Sequence, residues 1–186
     1  MNEKAFLAAF DPKDYPPVLV MVDAALFTFH EQQLLVLLVK RSIHPDMGKW
    51  SLPGGFIDPA RDKSLEDTAN RKLLEKTGVA PPYVEQLHTI GNDSRDKRGW
   101  SVTTCYTALI AHQKCAPGID SVSDARWVAV GELENVDLAF DHRIIIEQAD
   151  LLLDTGLKRY EGGRPAALYK MRARSGRFTF VRNLEE

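Results

Sequence analysis

The sequence predicts an α+β fold, or a layered α/β/α body, that carries a basic appendage. The order of the predicted elements indicates this class, because strands, a helix, further strands and a second helix follow one another along the 186 residues. A content of 44% hydrophobic residues is enough for a core and excludes a disordered chain. We expect residues 1–148 to form the body and residues 149–186 the appendage.

The first half of the body predicts a hairpin, a loop and a helix. The apolar run Val18–Phe29 is joined to a second run, Leu34–Val39, by a polar turn, as in a β-hairpin. Residues 42–56 contain three glycines and two prolines, which predicts a loop. The segment Ser64–Thr77 predicts a helix, because a serine N-cap precedes an apolar stripe and Gly78 follows it.

The second half predicts shorter elements. The apolar stretches indicate strands at residues 84–90, 100–110 and 126–130, then a turn or short helix at 132–138. A helix is predicted over 141–154, with Asp141 as its N-cap, and Gly156 closes it. Two short strands are expected at 168–172 and 177–181.

The composition excludes several classes of protein. The longest nearly apolar run, Leu34–Val39, is too short to span a bilayer, and Met1–Asp14 lacks the apolar region of a secretory signal. The two cysteines, Cys105 and Cys115, cannot build a disulfide framework and match no zinc motif. These features predict a cytoplasmic protein with reduced thiols and no membrane partner.

A glycine-rich turn leads into the first predicted helix. The segment Trp50–Asp58 reads WSLPGGFID, and Arg71–Val79 reads RKLLEKTGV. Together with Ser64–Asp67 these segments resemble the Nudix box, a loop–helix–loop that holds a diphosphate. The resemblance covers roughly residues 18–148 and implies the Nudix fold, in which a mixed sheet lies between helices.

The helix departs from the box at the positions that bind metal. Nudix hydrolases place carboxylates there, which hold Mg²⁺ against the diphosphate. Here these positions are Lys72, Glu75 and Lys76, and their spacing puts them on one helical face. The two ammonium groups should repel Mg²⁺ and attract a pyrophosphate directly. Arg61 stands where the distant glutamate of the box is expected.

Four segments, two of which overlap those already described, indicate a narrower resemblance. Leu52–Asp58, Ser64–Glu75, Asn92–Val102 and Leu138–His142 resemble the Nudix-related transcriptional regulators of NAD metabolism. That family implies a homodimer that binds ADP-ribose or a related nucleotide and represses genes of NAD metabolism by binding double-stranded DNA. It implies no required cofactor and no catalytic residue. The predicted effector contacts are Arg41, Trp50, Gly54, Gly55, Phe56, Lys72, Lys76, Arg95 and Arg98.

The C-terminal segment is basic. From Leu157 to Glu186, eight basic residues oppose three acidic ones, which suggests a polyanionic partner. The stretches Asp150–Arg159 and Gly162–Tyr169 resemble the end of a winged helix and its wing, although no stretch of this sequence supplies the recognition helix. The predicted DNA contacts of this winged-helix remnant are Lys158, Arg159, Arg164 and Lys170.

Three functions stay open at this point, and in one of them the chain keeps the ligand site and the dimer but has no DNA function, because the recognition helix is absent. The first is a non-catalytic sensor of ADP-ribose of the repressor type, indicated by Lys72 and Lys76. The second is a Mg²⁺-dependent hydrolase that cleaves ADP-ribose to AMP and ribose 5-phosphate. The hydrolase would use Glu75 and Glu66 to hold the metal.

Overall fold

The computed structural model describes residues 2–155, which form a mixed seven-stranded sheet covered by a helix on each face. The strands, in chain order, are β1 Leu19–His30, β2 Gln33–Arg41, β3 Trp50–Ser51, β4 Gly54–Phe56, β5 Glu85–Asn92, β6 Ser101–Ile110 and β7 Val122–Ala129. The helices are α1 Glu3–Ala9, α2 Leu65–Thr77 and α3 His142–Thr155, and 3₁₀ turns lie at Pro12–Asp14 and Val130–Asn135.

Strand β1 is the centre of the sheet. The order of the main path is β3-β2-β1-β6-β5, while β4 also pairs with β1 and β7 with β2. β1 and β6 run parallel, and each of the other pairs is antiparallel. Because β1 is covered on both faces, its residues from Met21 to Thr28 are all buried, which explains why all of them except Asp23 and Thr28 are apolar.

The two faces of β1 serve two cores. Val22, Ala24 and Leu26 pack with α2, whereas Ala25 and Phe27 pack with α3. This alternation follows from the two-residue period of a strand, in which successive side chains point to opposite faces. The predicted α/β/α layering is therefore confirmed.

Helix α2 begins and ends as its sequence predicts. The Ser64 side chain accepts a hydrogen bond from the Asp67 amide at 3.0 Å, and the Asp67 carboxylate accepts one from the Lys63 amide at 3.1 Å. Gly78 ends the helix in the left-handed conformation, with φ at 71°. These caps fix the position at which α2 passes the glycine-rich turn.

Several elements differ from the prediction. The segment predicted as a loop, residues 42–56, contributes β3 and β4, because its backbone pairs with β2 and β1 over only a few residues. Helix α1 was not predicted, and β7 begins at Val122 rather than Arg126. The two strands predicted near the C-terminus lie outside the described residues. Within residues 2–155, no helix is long and apolar enough to cross a membrane.

Candidate functional site

A cavity of about 240 Å³ opens beside the glycine-rich turn. Its walls come from β1 and β4, from α2, from the loop before β6 and from the residues that precede α3. Eight of the nine predicted effector contacts line it, namely Arg41, Gly54, Gly55, Phe56, Lys72, Lys76, Arg95 and Arg98. Five of these are cationic, and the lining contains two carboxylates, Asp23 and Asp96. The cavity therefore suits an anionic ligand.

Trp50 is the ninth predicted contact, and it does not line the cavity. Its indole is buried in the core on the α3 side of the sheet, and the Arg126 guanidinium lies 4.1 Å from its ring. Its backbone is bonded to the segment just before the cavity residue Phe140, since the Trp50 amide donates to Asp137 O and Trp50 O accepts from the Ala139 amide. The structure corrects the prediction for Trp50, because packing of the indole holds it in the core.

The glycine-rich turn passes β1 at very short range. Gly54 pairs with Asp23, and a Cβ at position 54 would lie 2.3 Å from Asp23 Oδ1 and 2.4 Å from Val22 O. Gly55 has φ at +147°, a conformation that only glycine adopts easily. The absence of side chains at both positions lets the turn form a wall of the cavity.

The face of α2 presents two ammonium groups to the cavity. Lys72 Nζ lies 3.8 Å from Glu75 Oε2, while no carboxylate of the described residues lies within 4.0 Å of Lys76 Nζ. Burial lowers the pKa of Lys76 to about 8. Burial, followed by the neighbouring Arg71, also lowers the pKa of Lys72. Both lysines are predicted contacts that the fold brings together.

Glu75 is surrounded by arginines. Its carboxylate accepts a hydrogen bond from Arg71 at 3.1 Å and pairs with Arg61 at 2.9 Å. Arg61, which replaces the distant glutamate of the Nudix box, therefore binds Glu75. Arg71 also donates to Asp62 Oδ1 at 2.6 Å, and these hydrogen bonds hold the pKa of Asp62 well below its usual value. No local pattern reports the contact between Arg71 and Asp62, because it spans the start of α2 and the loop before it.

Arg95 is buried in the wall and paired with two carboxylates. Its guanidinium donates to both oxygens of Asp141, at 2.9 and 3.0 Å, and lies 3.5 Å from Asp23 Oδ2. Thr103 Oγ1 also donates to Asp23 Oδ2 at 2.8 Å. Asp141 stands at the predicted N-cap position, directly before α3, and its side chain is a partner of Arg95.

Two other arginines lie nearer the opening. Arg98 pairs with Asp96 at 2.7 Å, and its guanidinium lies 4.8 Å from the centre of the Phe56 ring. Arg41 donates from Nε to Pro45 O at 2.7 Å and lies 4.9 Å from the Phe140 ring. No ion pair within 4.0 Å links Arg41 to a carboxylate of the described residues, so its charge is available to a ligand.

His142 lines the cavity but is not among the predicted effector contacts. Its Nδ1 accepts a hydrogen bond from the Leu52 amide at 2.8 Å, and its Nε2 lies 3.5 Å from Asp23 Oδ1. Burial lowers the pKa of His142, in agreement with a neutral ring that accepts at Nδ1. The first residue of α3 is thereby attached to the segment just before the glycine-rich turn.

The side chains present do not fit a Mg²⁺ ion. The cation needs several oxygen ligands, and within residues 2–155 no group of three or more His, Cys, Asp or Glu side chains is placed to hold a metal. Glu75 is already paired with Arg61 and Arg71, and Glu66 is exposed at the first turn of α2. The cavity face of the helix offers ammonium groups, which repel a divalent cation.

The predicted DNA contacts cannot be compared with this geometry. Lys158, Arg159, Arg164 and Lys170 all lie outside the described residues.

The family model for the NUDIX domain matches residues 19–149 of this chain. The chain belongs to the NUDIX domain family. The Nudix resemblance and the mixed sheet that it implied are thus confirmed. Among solved structures, the chain is similar to the NUDIX domain of Shewanella oneidensis NrtR complexed with ADP ribose. The two are 58% identical with a TM-score of 0.80, and the match covers 81% of this chain and 98% of that one.

A second relative is a repressor, and a further structure of NrtR contains DNA. The chain is 46% identical to the ADPR responsive transcriptional repressor NtrR of Acinetobacter baylyi over 148 residues. This match covers 80% of this chain and 59% of the relative. It is 45% identical to Shewanella oneidensis NrtR complexed with a 27mer DNA, with a TM-score of 0.65, over 89% of this chain and 99% of that one. The chain spans about three fifths of the length of the Acinetobacter baylyi repressor.

Proposed function

We propose that this chain is a non-catalytic sensor of ADP-ribose, of the transcriptional repressor type that controls NAD metabolism. The observation that carries the proposal is the charge of the cavity, in which five cationic side chains line a space of about 240 Å³. Arginine forks and ammonium groups suit the oxygens of a diphosphate. The similarity to NrtR in complex with ADP ribose supports the same ligand.

The aromatic residues at the opening suit the base of such a ligand. Phe56 is 40% exposed and lines the cavity beside Arg98. A flat ring that is partly open to solvent can stack on an adenine, and the arginine beside it reinforces the stack. Phe140 and Arg41 form a second pair of this kind, and both also line the cavity. We assign the base to one of these pairs and the diphosphate to the lysines of α2.

Phosphorus NMR distinguishes the sensor from the hydrolase. The purified protein is mixed with ADP-ribose and Mg²⁺ and followed overnight. The sensor predicts diphosphate signals that shift or broaden on binding and persist throughout. Two phosphomonoester signals in place of the diphosphate would mean hydrolysis to AMP and ribose 5-phosphate, and a Glu75→Gln variant would then test whether that carboxylate is responsible.

DNA binding is a second part of the proposal. NrtR forms a complex with a 27mer DNA, and the basic segment after Leu157 offers charge for phosphate contacts. A gel shift with that 27mer duplex and with a scrambled duplex tests it. We expect a complex with the 27mer that ADP-ribose dissociates. Equal retention of both duplexes, lost on adding salt, would indicate contact with the phosphate backbone alone.

The homodimer and the cytoplasmic location stay predictions. Sedimentation of the purified chain tests the first, and cell fractionation tests the second.

A further inference from the structure

The α2 face that would hold a metal in a hydrolase instead carries two cations next to the turn. A Cβ built on Gly55 would lie 3.3 Å from Lys72 Cε and 3.7 Å from Lys72 Nζ, so this ammonium group lies directly beside the glycine-rich turn. Lys76, one position beyond Glu75, also lines the cavity. The two ammonium groups thus occupy the side of the cavity where a diphosphate would meet α2.

The carboxylates near this face are already in use. Glu75 is paired with Arg61 and Arg71, at 2.9 and 3.1 Å. Asp96 is paired with Arg98 at 2.7 Å. Asp23 accepts from Thr103 at 2.8 Å and lies 3.5 Å from Arg95. To bind a metal, each of these would have to give up a charge-assisted hydrogen bond.

We infer that the cavity binds its diphosphate ligand as the metal-free anion, with Lys72 and Lys76 in place of a bridging cation, and that Mg²⁺ weakens this binding. The inference rests on the proposed function and specifies the ionic form of its ligand. A diphosphate complexed with Mg²⁺ has lost the negative charge that the lysines recognise. It also brings a divalent cation against two ammonium groups. Free Mg²⁺ therefore competes with the protein for the ligand.

The size of the effect follows from binding linkage. If the protein takes only the metal-free form, its apparent Kd for ADP-ribose rises with the fraction of ligand that Mg²⁺ occupies. At a free Mg²⁺ concentration about ten times the dissociation constant of the Mg²⁺–ADP-ribose complex, we expect a rise of about tenfold. A Nudix hydrolase with a metal-binding helix predicts the opposite direction.

Isothermal titration calorimetry of the whole chain tests this. ADP-ribose is titrated in buffer with EDTA and then at increasing MgCl₂, with NaCl adjusted to keep the ionic strength constant. The expected result is a Kd that increases with Mg²⁺. A Kd that is unchanged or decreases with Mg²⁺ overturns the inference. Failure to bind ADP-ribose in either buffer contradicts the proposed function itself and is distinguishable from the first outcome.

A charge-reversed variant supplies a second measurement. In Lys72→Glu/Lys76→Glu, we expect binding without metal to be lost and Mg²⁺ to restore part of it. The matched control is Lys13→Glu/Lys63→Glu, which makes the same change of charge at two exposed lysines that do not line the cavity. The control should keep the wild-type decrease in affinity with Mg²⁺. If the affinity of the control variant also no longer fell with Mg²⁺, the net charge of the protein, rather than these lysines, would be responsible.

Discussion

Lys76 is a cavity residue whose charge depends on its surroundings. Its ammonium group is half-buried on α2, and burial lowers its pKa to about 8. Asp23 from β1 and Glu75 from α2 favour the charged form, while Lys72 from α2 and Arg41 from β2 oppose it. A lysine with this pKa is protonated at neutral pH and loses its charge within two pH units above the pKa.

This pKa predicts the pH dependence of ligand binding. The protonated form attracts a diphosphate, so the affinity for ADP-ribose should fall as the pH rises through about 8. By pH 9 the loss should approach about tenfold, since roughly one amine in ten is then protonated. Titrations between pH 7 and pH 9 measure it. Lys76→Arg keeps its charge over this range and should flatten the profile, and an equally steep profile in that variant would contradict the assignment.

Gly54 tests the close approach of the turn to β1. In Gly54→Ala, the new methyl group would meet Asp23 Oδ1 and the Val22 carbonyl at 2.3 and 2.4 Å, so backbone must move. We expect a loss of about 3 kcal/mol in the free energy of unfolding, at the upper end of the usual cost of overpacking. Urea denaturation measures it. Gly131→Ala is the control, because a Cβ there meets nothing within 4 Å, and a similar loss in both variants would contradict the steric explanation.

Single residues show which parts of the site the sequence can predict. The lysines at positions 72 and 76 were recognisable because helical spacing alone puts them on one face. The location of Trp50 could not be predicted in this way, because an aromatic residue beside a loop can stack on a ligand or enter the core. Only the packing of the folded chain decides between these two places. The pairing of Arg95 with Asp141 joins residues that are distant in sequence, so no local pattern reports it.

At the scale of elements, local signals predicted α2 well and the short strands poorly. The ends of α2 are fixed by Ser64 and Gly78, whose chemistry acts within one helical turn. Strands β3 and β4 are two and three residues long and exist only through pairing with β2 and β1. A sequence contains no signal for such pairing within so few residues.

The N-cap of α2 supports a quantitative prediction. Ser64→Ala removes the side-chain acceptor of the Asp67 amide, and we expect a loss of about 1 kcal/mol in the free energy of unfolding. Urea denaturation followed by circular dichroism measures it. Ser123→Ala is the control, because Ser123 is exposed and its hydroxyl is 3.5 Å from its acceptor. A loss of equal size at Ser123 would show that the cap is not the cause.

The hydrogen bond by which His142 attaches α3 to Leu52 predicts that the fold is less stable in acid. His142 is neutral and fully buried, and its folded-state pKa lies below the ordinary value of 6.5. The unfolded chain therefore binds the proton more readily, and stability should fall as the pH drops below about 6.5. Thermal unfolding between pH 7 and pH 5 measures this. His142→Asn offers an acceptor that does not titrate, so its stability should depend less on pH over the same range.

At the scale of the whole molecule, the cavity and α3 share one segment. Residues 137–142 lead into α3, two of them, Phe140 and His142, line the cavity, and the segment is bonded to Trp50, Leu52 and Arg95. Phe140 within this segment has φ at 54°, which is uncommon outside glycine. A ligand that moves Arg95 would therefore act on the first residues of α3, and α3 leads into the basic segment of the chain.

The basic segment predicts the salt dependence of DNA binding. If Lys158, Arg159, Arg164 and Lys170 contact phosphates, each should add about 0.9 to the slope of log K against log salt concentration. Replacing Lys158 and Arg159 by glutamine should reduce the slope by roughly two. Fluorescence anisotropy with labelled duplex at several salt concentrations measures it. Lys4→Gln/Lys13→Gln is the control with the same change of charge, and its slope should not change.

The parallel pairing of β1 with β6 also has a consequence while the chain is still being synthesised. Leu19 pairs with Ser101 and Thr28 with Ile110, so β1 is synthesised long before its parallel partner β6. Until β6 is made, one edge of a largely apolar strand is open and can pair with strands of other chains. Products that stop before residue 101 are therefore expected to aggregate, and completion of β6 is the step that closes this edge.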